Sequence, residues 1–231
     1  MKFANALLRA TLIKRYKRFL ADATLEDGTK ITAHCPNTGS MKTCGSPGDI
    51  IYLSHDDNPK RKLKYTWELT ETKAGFIGVN TQRPNQIVKE AFENKLIKEL
   101  ASYQDIKPEK KKDESRLDFY LSGSLAGEPP CWVEVKNVTL LAGSDVIFPD
   151  SVSERALKHI KTLEKIVESG ERAAILFVVN RREGKSFRAA HEIHLEYAEA
   201  LARAQKKGVI ILIYRVKSSR EFICLEPFIE D

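Results

Sequence analysis

The chain has 231 residues, 42% of them hydrophobic and 30% charged. That length suits one large domain or two of roughly 80–150 residues, and the composition excludes collagen-like, mucin-like and wholly disordered classes. Net charge is 38 − 32 = +6. It is uneven: residues 1–80 carry 13 Lys/Arg against 8 Asp/Glu, and residues 81–231 carry 25 against 24. A basic excess confined to one segment points to a polyanion-facing surface there. The longest apolar runs, 173–179 and 209–214, fall far short of the ~20 residues that cross a bilayer. The first nineteen residues lack an apolar signal core and a small-residue cleavage site. A cytoplasmic protein with no membrane partner is expected. Cysteines 35, 44, 131 and 224 form no C-x-x-C pair and, with five scattered histidines, no zinc-finger spacing.

The first 80 residues read as all-β. Short apolar or alternating stretches (ATLIKRYKRFLADATL, TKITAHC, DIIYLSH, YTWELTET, GFIGV) are separated by turn signals at Asp27-Gly28, Pro36–Ser40, Ser46–Asp49 and Asp57–Pro59. Five or six short strands at this spacing suit a small barrel. The pattern changes at Pro84-Asn85, where Ile87, Val88, Ala91, Phe92, Leu96 and Leu100 recur every three to four residues. That spacing predicts a helix over 85–101 and a domain boundary near 81, dividing the chain into 1–81 and 82–231.

A lysine-rich turn (KPEKKKDE), a strand at Arg116–Leu121, a Gly/Pro loop and a second strand over 131–141 follow. Ser151-x-x-Glu154 reads as a capping box. It opens a helix with Val152, Ala156, Leu157, Ile160, Leu163 and Val167 on its apolar side and Gly170 at its close. AAILFVVN is a buried strand, HLEYAEALARAQKKG a helix ending at Gly208, and VIILIYRV a strand. Helices alternating with strands from 85 onward indicate an α/β layer structure.

Strand alternation puts Glu134 and Lys136 on one face, between Trp132 and Val138, with Val133 and Val135 opposite. In the preceding strand Arg116, Asp118 and Tyr120 share a face, and Leu117, Phe119 and Leu121 share the other. Paired as a hairpin, the two strands bring Asp118 beside Glu134 and Lys136. Two carboxylates supply hard oxygen ligands for Mg²⁺ or Mn²⁺, which activates water and polarises a phosphodiester; a lysine steadies developing charge. Asp…Glu-x-Lys on adjacent strands is the core of the PD-(D/E)XK nuclease fold. Glu-x-Lys occurs five times, at Glu71, Glu93, Glu109, Glu134 and Glu183; only Glu134 has apolar neighbours in a strand, where charge is costly unless paired or metal-bound. An ion pair at a sheet end is the competing reading. Glu90, on the preceding helix, is a candidate third metal ligand. Arg155, Lys158 and His159, with Asp150 just before their helix, are candidate phosphate contacts.

Lys14, Arg15, Lys17 and Arg18 around Tyr16 and Phe19, and Lys60, Arg61, Lys62 and Lys64 before Tyr65 and Trp67, interleave basic and aromatic residues. Cations attract a phosphate backbone and aromatics stack on bases, although for any one aromatic alternation favours a core position.

With these residues in view the chain resembles the sugar fermentation stimulation protein A family. The segments that carry the likeness are LLRATLIKRYKRFLAD (7–22), HCPNTGSM (34–41), PGD (47–49), NPKRKLKYTWEL (58–69), VNT (79–81), SRLDF (115–119), EVKNVTL (134–140), FPD (148–150), SERALKH (153–159) and AQKKGV (204–209). The chain departs from the family pattern at Ala156, where glycine is usual, and over 108–112. The resemblance implies an OB-like N-terminal barrel joined to a PD-(D/E)XK nuclease-like domain, DNA binding, and a regulatory link to sugar (maltose) use in bacteria. Two functions are thus expected: a DNA-binding regulator of carbohydrate metabolism, or an active Mg²⁺-dependent nuclease on DNA or RNA. No cofactor other than the metal is expected, and a monomer and a homodimer both remain open.

Overall fold

The computed structural model describes residues 1–112 and 114–230. Six strands come first: β1 (Leu8–Tyr16), β2 (Leu20–Leu25), β3 (Lys30–His34), β4 (Ile50–His55), β5 (Tyr65–Thr72) and β6 (Gly75–Gly78). β1 lies antiparallel between β2 and β4, β2 pairs with β3, and β4 with β5. β3 returns parallel to β5 through Ala33↔Tyr65 and His34↔Thr66, closing five strands into an OB-like barrel. The period of two sends Ala10, Leu12, Ala21, Ala23, Ala33, Ile51, Leu53 and Trp67 inward. The four alanines leave room for the Trp67 indole, whose N–H donates to Leu69 O at 3.1 Å and so is not stranded in the core. Gly45 closes the barrel end at φ +94°, where a Cβ would lie 2.6 Å from that indole. Trp67 is therefore core, while Phe19 is exposed.

The rest begins with α1 (Arg83–Glu93) and a 3₁₀ turn (Lys98–Leu100), then β7 (Tyr103–Lys112), β8 (Ser115–Ser124), β9 (Cys131–Val138), β10 (Leu140–Ala142) and β11 (Asp145–Phe148). α2 (Glu154–Glu168), β12 (Arg172–Val179), β13 (Ser186–Ala189), α3 (Leu195–Lys206), β14 (Ile210–Ser218) and β15 (Ile223–Pro227) complete it. The main sheet runs β15-β14-β12-β9-β8-β7, parallel at its centre and antiparallel at both edges. β12 is buried on both sides, which its unbroken apolar run requires. Ala174, Leu176 and Val178 face α1, and Ala173, Ile175, Phe177 and Val179 face α2 and α3. Tyr52 and Leu69 of the barrel join the α1-side core. At the same junction the buried Glu68 carboxylate accepts from Arg83 at 2.7 and 2.9 Å.

Several expected elements differ. The helix placed at 85–101 stops at Glu93, because Lys95 turns left-handed (φ +58°) and the apolar spacing then continues only as a single turn, leaving Leu96 exposed. The lysine-rich turn is largely strand: β7 pairs along β8, with Glu109 left-handed at φ +54° and Lys110 lying 3.2 Å over the Tyr120 ring. Asp113 of that segment lies outside the described residues. The strand expected over 131–141 breaks at Thr139. Ser153, not Ser151, caps α2, its hydroxyl accepting Ala156 N–H, so Val152 falls before the helix and is exposed. Strands β11, β13 and β15 are additional. Their side chains are mostly half-buried, which leaves too weak an alternation to read.

Candidate metal centre and nucleic-acid interface

β8 and β9 pair from Leu121↔Cys131 to Phe119↔Val133 and then part. Past that point Leu117 packs with Trp132 and α2, whereas Phe119 and Leu121 pack on the α1 side. The alternation that grouped Leu117 with Phe119 fails at Asp118, where β8 has parted from β9 while keeping its register with β7. Asp118 stands in for the lost backbone acceptor. Its Oδ2 accepts Val135 N–H at 2.7 Å and its Oδ1 accepts Asn85 Nδ2, from the first turn of α1, at 2.8 Å.

Glu134 is 3% exposed. Its Oε1 accepts from Lys136 Nζ at 2.5 Å and meets His159 Nδ1 from α2. Its Oε2 is buried with no hydrogen-bond partner. Burial works to raise the Glu134 carboxyl, but the His159 hydrogen bond and the Lys136 charge outweigh it and hold it below its ordinary range. Asp118 moves oppositely: burial first, then the negative charge of Glu134, pushes it up to about 6 despite the Val135 bond. Two neighbouring carboxyls driven apart in this way are a mark of acid–base or metal-binding sites. The Tyr197 phenol, raised by burial and then by Glu134, is also buried without a hydrogen-bond partner.

Other expected residues fall elsewhere. Glu90 does not reach this pair: its carboxylate binds the Met1 ammonium, which also donates to Ile223 O on β15, at the far edge of the sheet. Among the described residues no group of three or more His, Cys, Asp or Glu is placed to hold a metal. His159 is not a solvated phosphate contact; it is buried against Glu134. Arg155 is exposed, as is Lys158, which stands 3.4 Å from Glu114. Asp150 does not cap α2; it accepts Ser40 N–H from the barrel at 2.9 Å. Asn85 was legible only as a helix-start residue.

On the barrel, Lys14, Lys17, Arg18, Lys60, Lys62 and Lys64 are exposed. Arg15 turns inward and donates to the carbonyls of Arg18, Asn37 and Gly39 at 2.8–3.0 Å. Arg61 binds Asp56 and Thr66 Oγ1 at 3.0 and 2.8 Å. These two arginines are scaffold, because every strand end they touch has carbonyl or hydroxyl acceptors to satisfy. The two basic segments are neighbours: His34 pairs with Leu20 on one side and Thr66 on the other.

A family model described as the SfsA N-terminal OB domain matches residues 13–79, and one described as the sugar fermentation stimulation protein RE domain matches 82–222. The chain belongs to the sugar fermentation stimulation protein family. Family members named as sugar fermentation stimulation protein homologs include those of Geotalea uraniireducens, 48% identical over 224 residues (96% of each chain), and Geobacter sulfurreducens, 47% identical over 226 residues (97% of this chain, 96% of the relative). Among solved family structures, that of Pyrococcus furiosus SfsA in complex with Ca²⁺ is similar at a TM-score of 0.88 and 26% identity, covering 100% of this chain and 97% of that one. An OB-like barrel followed by a mixed α/β sheet domain is thus the architecture of the family. No described helix is long and apolar enough to cross a membrane.

Proposed function

We propose that this chain is a DNA-binding protein whose second module cleaves phosphodiester bonds with the help of a divalent cation, Mg²⁺ or Mn²⁺. The observation that carries the reading is Glu134 Oε2: a buried oxygen of an ionised carboxylate, without a donor, beside a second carboxyl raised by the first. A buried charge of this kind is costly unless something compensates it, and one cation between Asp118 and Glu134 would relieve both. The residues therefore fit the metal. Asp118 and Glu134 would hold it, and a bound divalent ion of this class polarises a phosphodiester and lowers the pKa of water. Lys136 would orient water or steady charge developing on phosphate. His159, which meets Glu134 Oε1, would fix the orientation of that carboxylate. The Ca²⁺ in the Pyrococcus furiosus relative supports a cation in this family.

A second reading is a DNA-binding regulator of sugar (maltose) use that does not cleave. It is favoured by the internal pairing of the centre: both Asp118 oxygens and Glu134 Oε1 already have partners. Incubating DNA or RNA with Mg²⁺ or Mn²⁺ separates the two. Cleavage by wild type that is lost in Asp118→Asn and in Glu134→Gln supports the nuclease, and equal activity in all three removes it. For binding, log affinity should fall linearly with log salt, with a slope near 0.9 per phosphate neutralised. Lys60→Ala, Lys62→Ala and Lys64→Ala together should lower that slope by about 2 to 3; an unchanged slope would take nucleic acid off this face of the barrel.

A further inference from the structure

Several segments that carry the family likeness take no part in the Asp118–Glu134 centre: PNTGS at 36–40, VNT at 79–81, NVT at 137–139 and FPD at 148–150. Tertiary structure brings all four to one place. A cleft of about 340 Å³ opens between barrel and sheet, walled by Thr38 and Thr81 on one side and by Asn137, Thr139, Ser151 and Ser153 on the other, with Arg18 at its rim. Two of its walls adjoin the centre along the chain: Asn137 follows Lys136 on β9, turned to the other face of the strand, and Ser153 caps the helix that carries His159.

The walls are held in place before any ligand arrives. Arg15 clamps the carbonyls of Asn37 and Gly39, Thr81 Oγ1 donates to Pro36 O at 3.0 Å, and Asp150 accepts Ser40 N–H across the cleft. Gly39 is required for that closure, since a Cβ there would lie 2.3 Å from Asp150 Oδ2. Such preorganisation lowers the ordering cost of binding. The lining chemistry is mixed. Hydroxyls and the two amides of Asn37 and Asn137 offer both donors and acceptors, Leu140, Ile147 and Phe148 add an apolar patch, Arg18 stands at the mouth, and the Asp150 carboxylate lies in the wall. A pocket for a bare phosphate would not carry that carboxylate, which repels anions. A nucleobase meets it well, because its amino and ring N–H groups donate to carboxylates and its face stacks on apolar surface. The volume is at the small end of ligand sites and admits one nucleotide, not a base pair.

We propose that this cleft takes a single unpaired nucleotide of the strand presented to Asp118 and Glu134, with its phosphate at Arg18 and its base among the amide, hydroxyl and carboxylate groups of the wall. The inference rests on the nucleic-acid reading above and adds to it a preference for unpaired DNA.

The test uses the full chain in EDTA, a short single-stranded oligodeoxynucleotide carrying 2-aminopurine, and the same strand annealed to its complement. Thr38→Trp fills the cleft from an exposed position, and Arg18→Ala removes the rim cation while leaving the backbone carbonyl that Arg15 holds. Wild type should bind the single strand more tightly than the duplex, with a change in 2-aminopurine emission as the base leaves its stacked neighbours. Thr38→Trp should lose about tenfold in single-strand affinity, the scale of one base contact, together with the emission change, and keep its duplex affinity. Arg18→Ala should weaken the single strand by a similar factor. If Thr38→Trp binds the single strand as wild type does while duplex binding is intact, the cleft proposal falls and the nucleic-acid reading stands. If neither oligonucleotide binds wild type, the underlying reading falls and takes the cleft with it.

Discussion

Asp118→Asn should stabilise the protein at neutral pH and hardly change it in acid. Asp118 carries its carboxyl from an ordinary 3.8 up to about 6 in the folded state. Each pKa unit corresponds to about 1.4 kcal/mol, so keeping this group ionised destabilises the folded protein by about 3 kcal/mol at pH 7. The sign follows from linkage. For an acid raised by folding, the unfolded chain loses its proton first, so stability falls as pH climbs from below 3.8 through 6. At pH 4 the same two values leave a difference of only about 0.5 kcal/mol. Asparagine keeps the geometry: its carbonyl oxygen accepts Val135 N–H, and a turn of the Asn85 amide lets its NH₂ donate there. The variant's gain over wild type should therefore grow by about 2 to 3 kcal/mol between pH 4 and pH 7. Urea unfolding of both proteins at the two pH values in EDTA measures it. A gain that does not change with pH, or a variant less stable than wild type at pH 7 but not at pH 4, would refute the account of Asp118. Mg²⁺ should narrow the gap at pH 7, because a ligand that binds only the folded wild type stabilises it in proportion to the logarithm of its concentration.

The opposite sign is expected at Glu134, whose folded carboxyl lies below its ordinary 4.5. Glu134→Gln strands Lys136, only 12% exposed, and should cost about 3 kcal/mol at pH 7, a loss that shrinks as pH falls below 4.5 through the folded value; denaturant unfolding against pH checks it. Arg15→Ala removes three charge-assisted hydrogen bonds to carbonyls and should cost about 3 kcal/mol in thermal or urea unfolding, whereas a surface lysine such as Lys62 should change stability by less than about 0.5 kcal/mol. Gly39→Ala drives a methyl to 2.3 Å from Asp150 Oδ2 and should destabilise by about 1–3 kcal/mol. That loss should be largely recovered in the Gly39→Ala/Asp150→Ala double variant, and a purely additive double variant would show that the two do not meet.

Local repetition made much of this molecule legible in its sequence. A period of two separated by turn residues marked the barrel strands, and the continuous apolar run at 173–179, too short for a helix and bounded by Gly170 and Asn180, read as a strand covered on both faces. Glu134 and Lys136, two residues apart on one strand among apolar neighbours, were bound to share a face and to need a partner. Where packing against distant chain decides, the sequence was silent. Helix spacing continued through Leu96 and Leu100, yet the chain leaves the helix at Lys95. Arg15 looked like one more basic surface residue until the 37–39 loop, twenty residues on, supplied carbonyls to bind. Glu90 lay on the right helix but on the side facing β15 and the N-terminus. His159 had the spacing of a surface residue, and only the crossing of α2 over β9 turned it onto Glu134. Asn85, Asp150 and the cleft between barrel and sheet belong with these. Their partners lie 33 to 110 residues away, and no local pattern records which side chain will fill the gap left where two strands part.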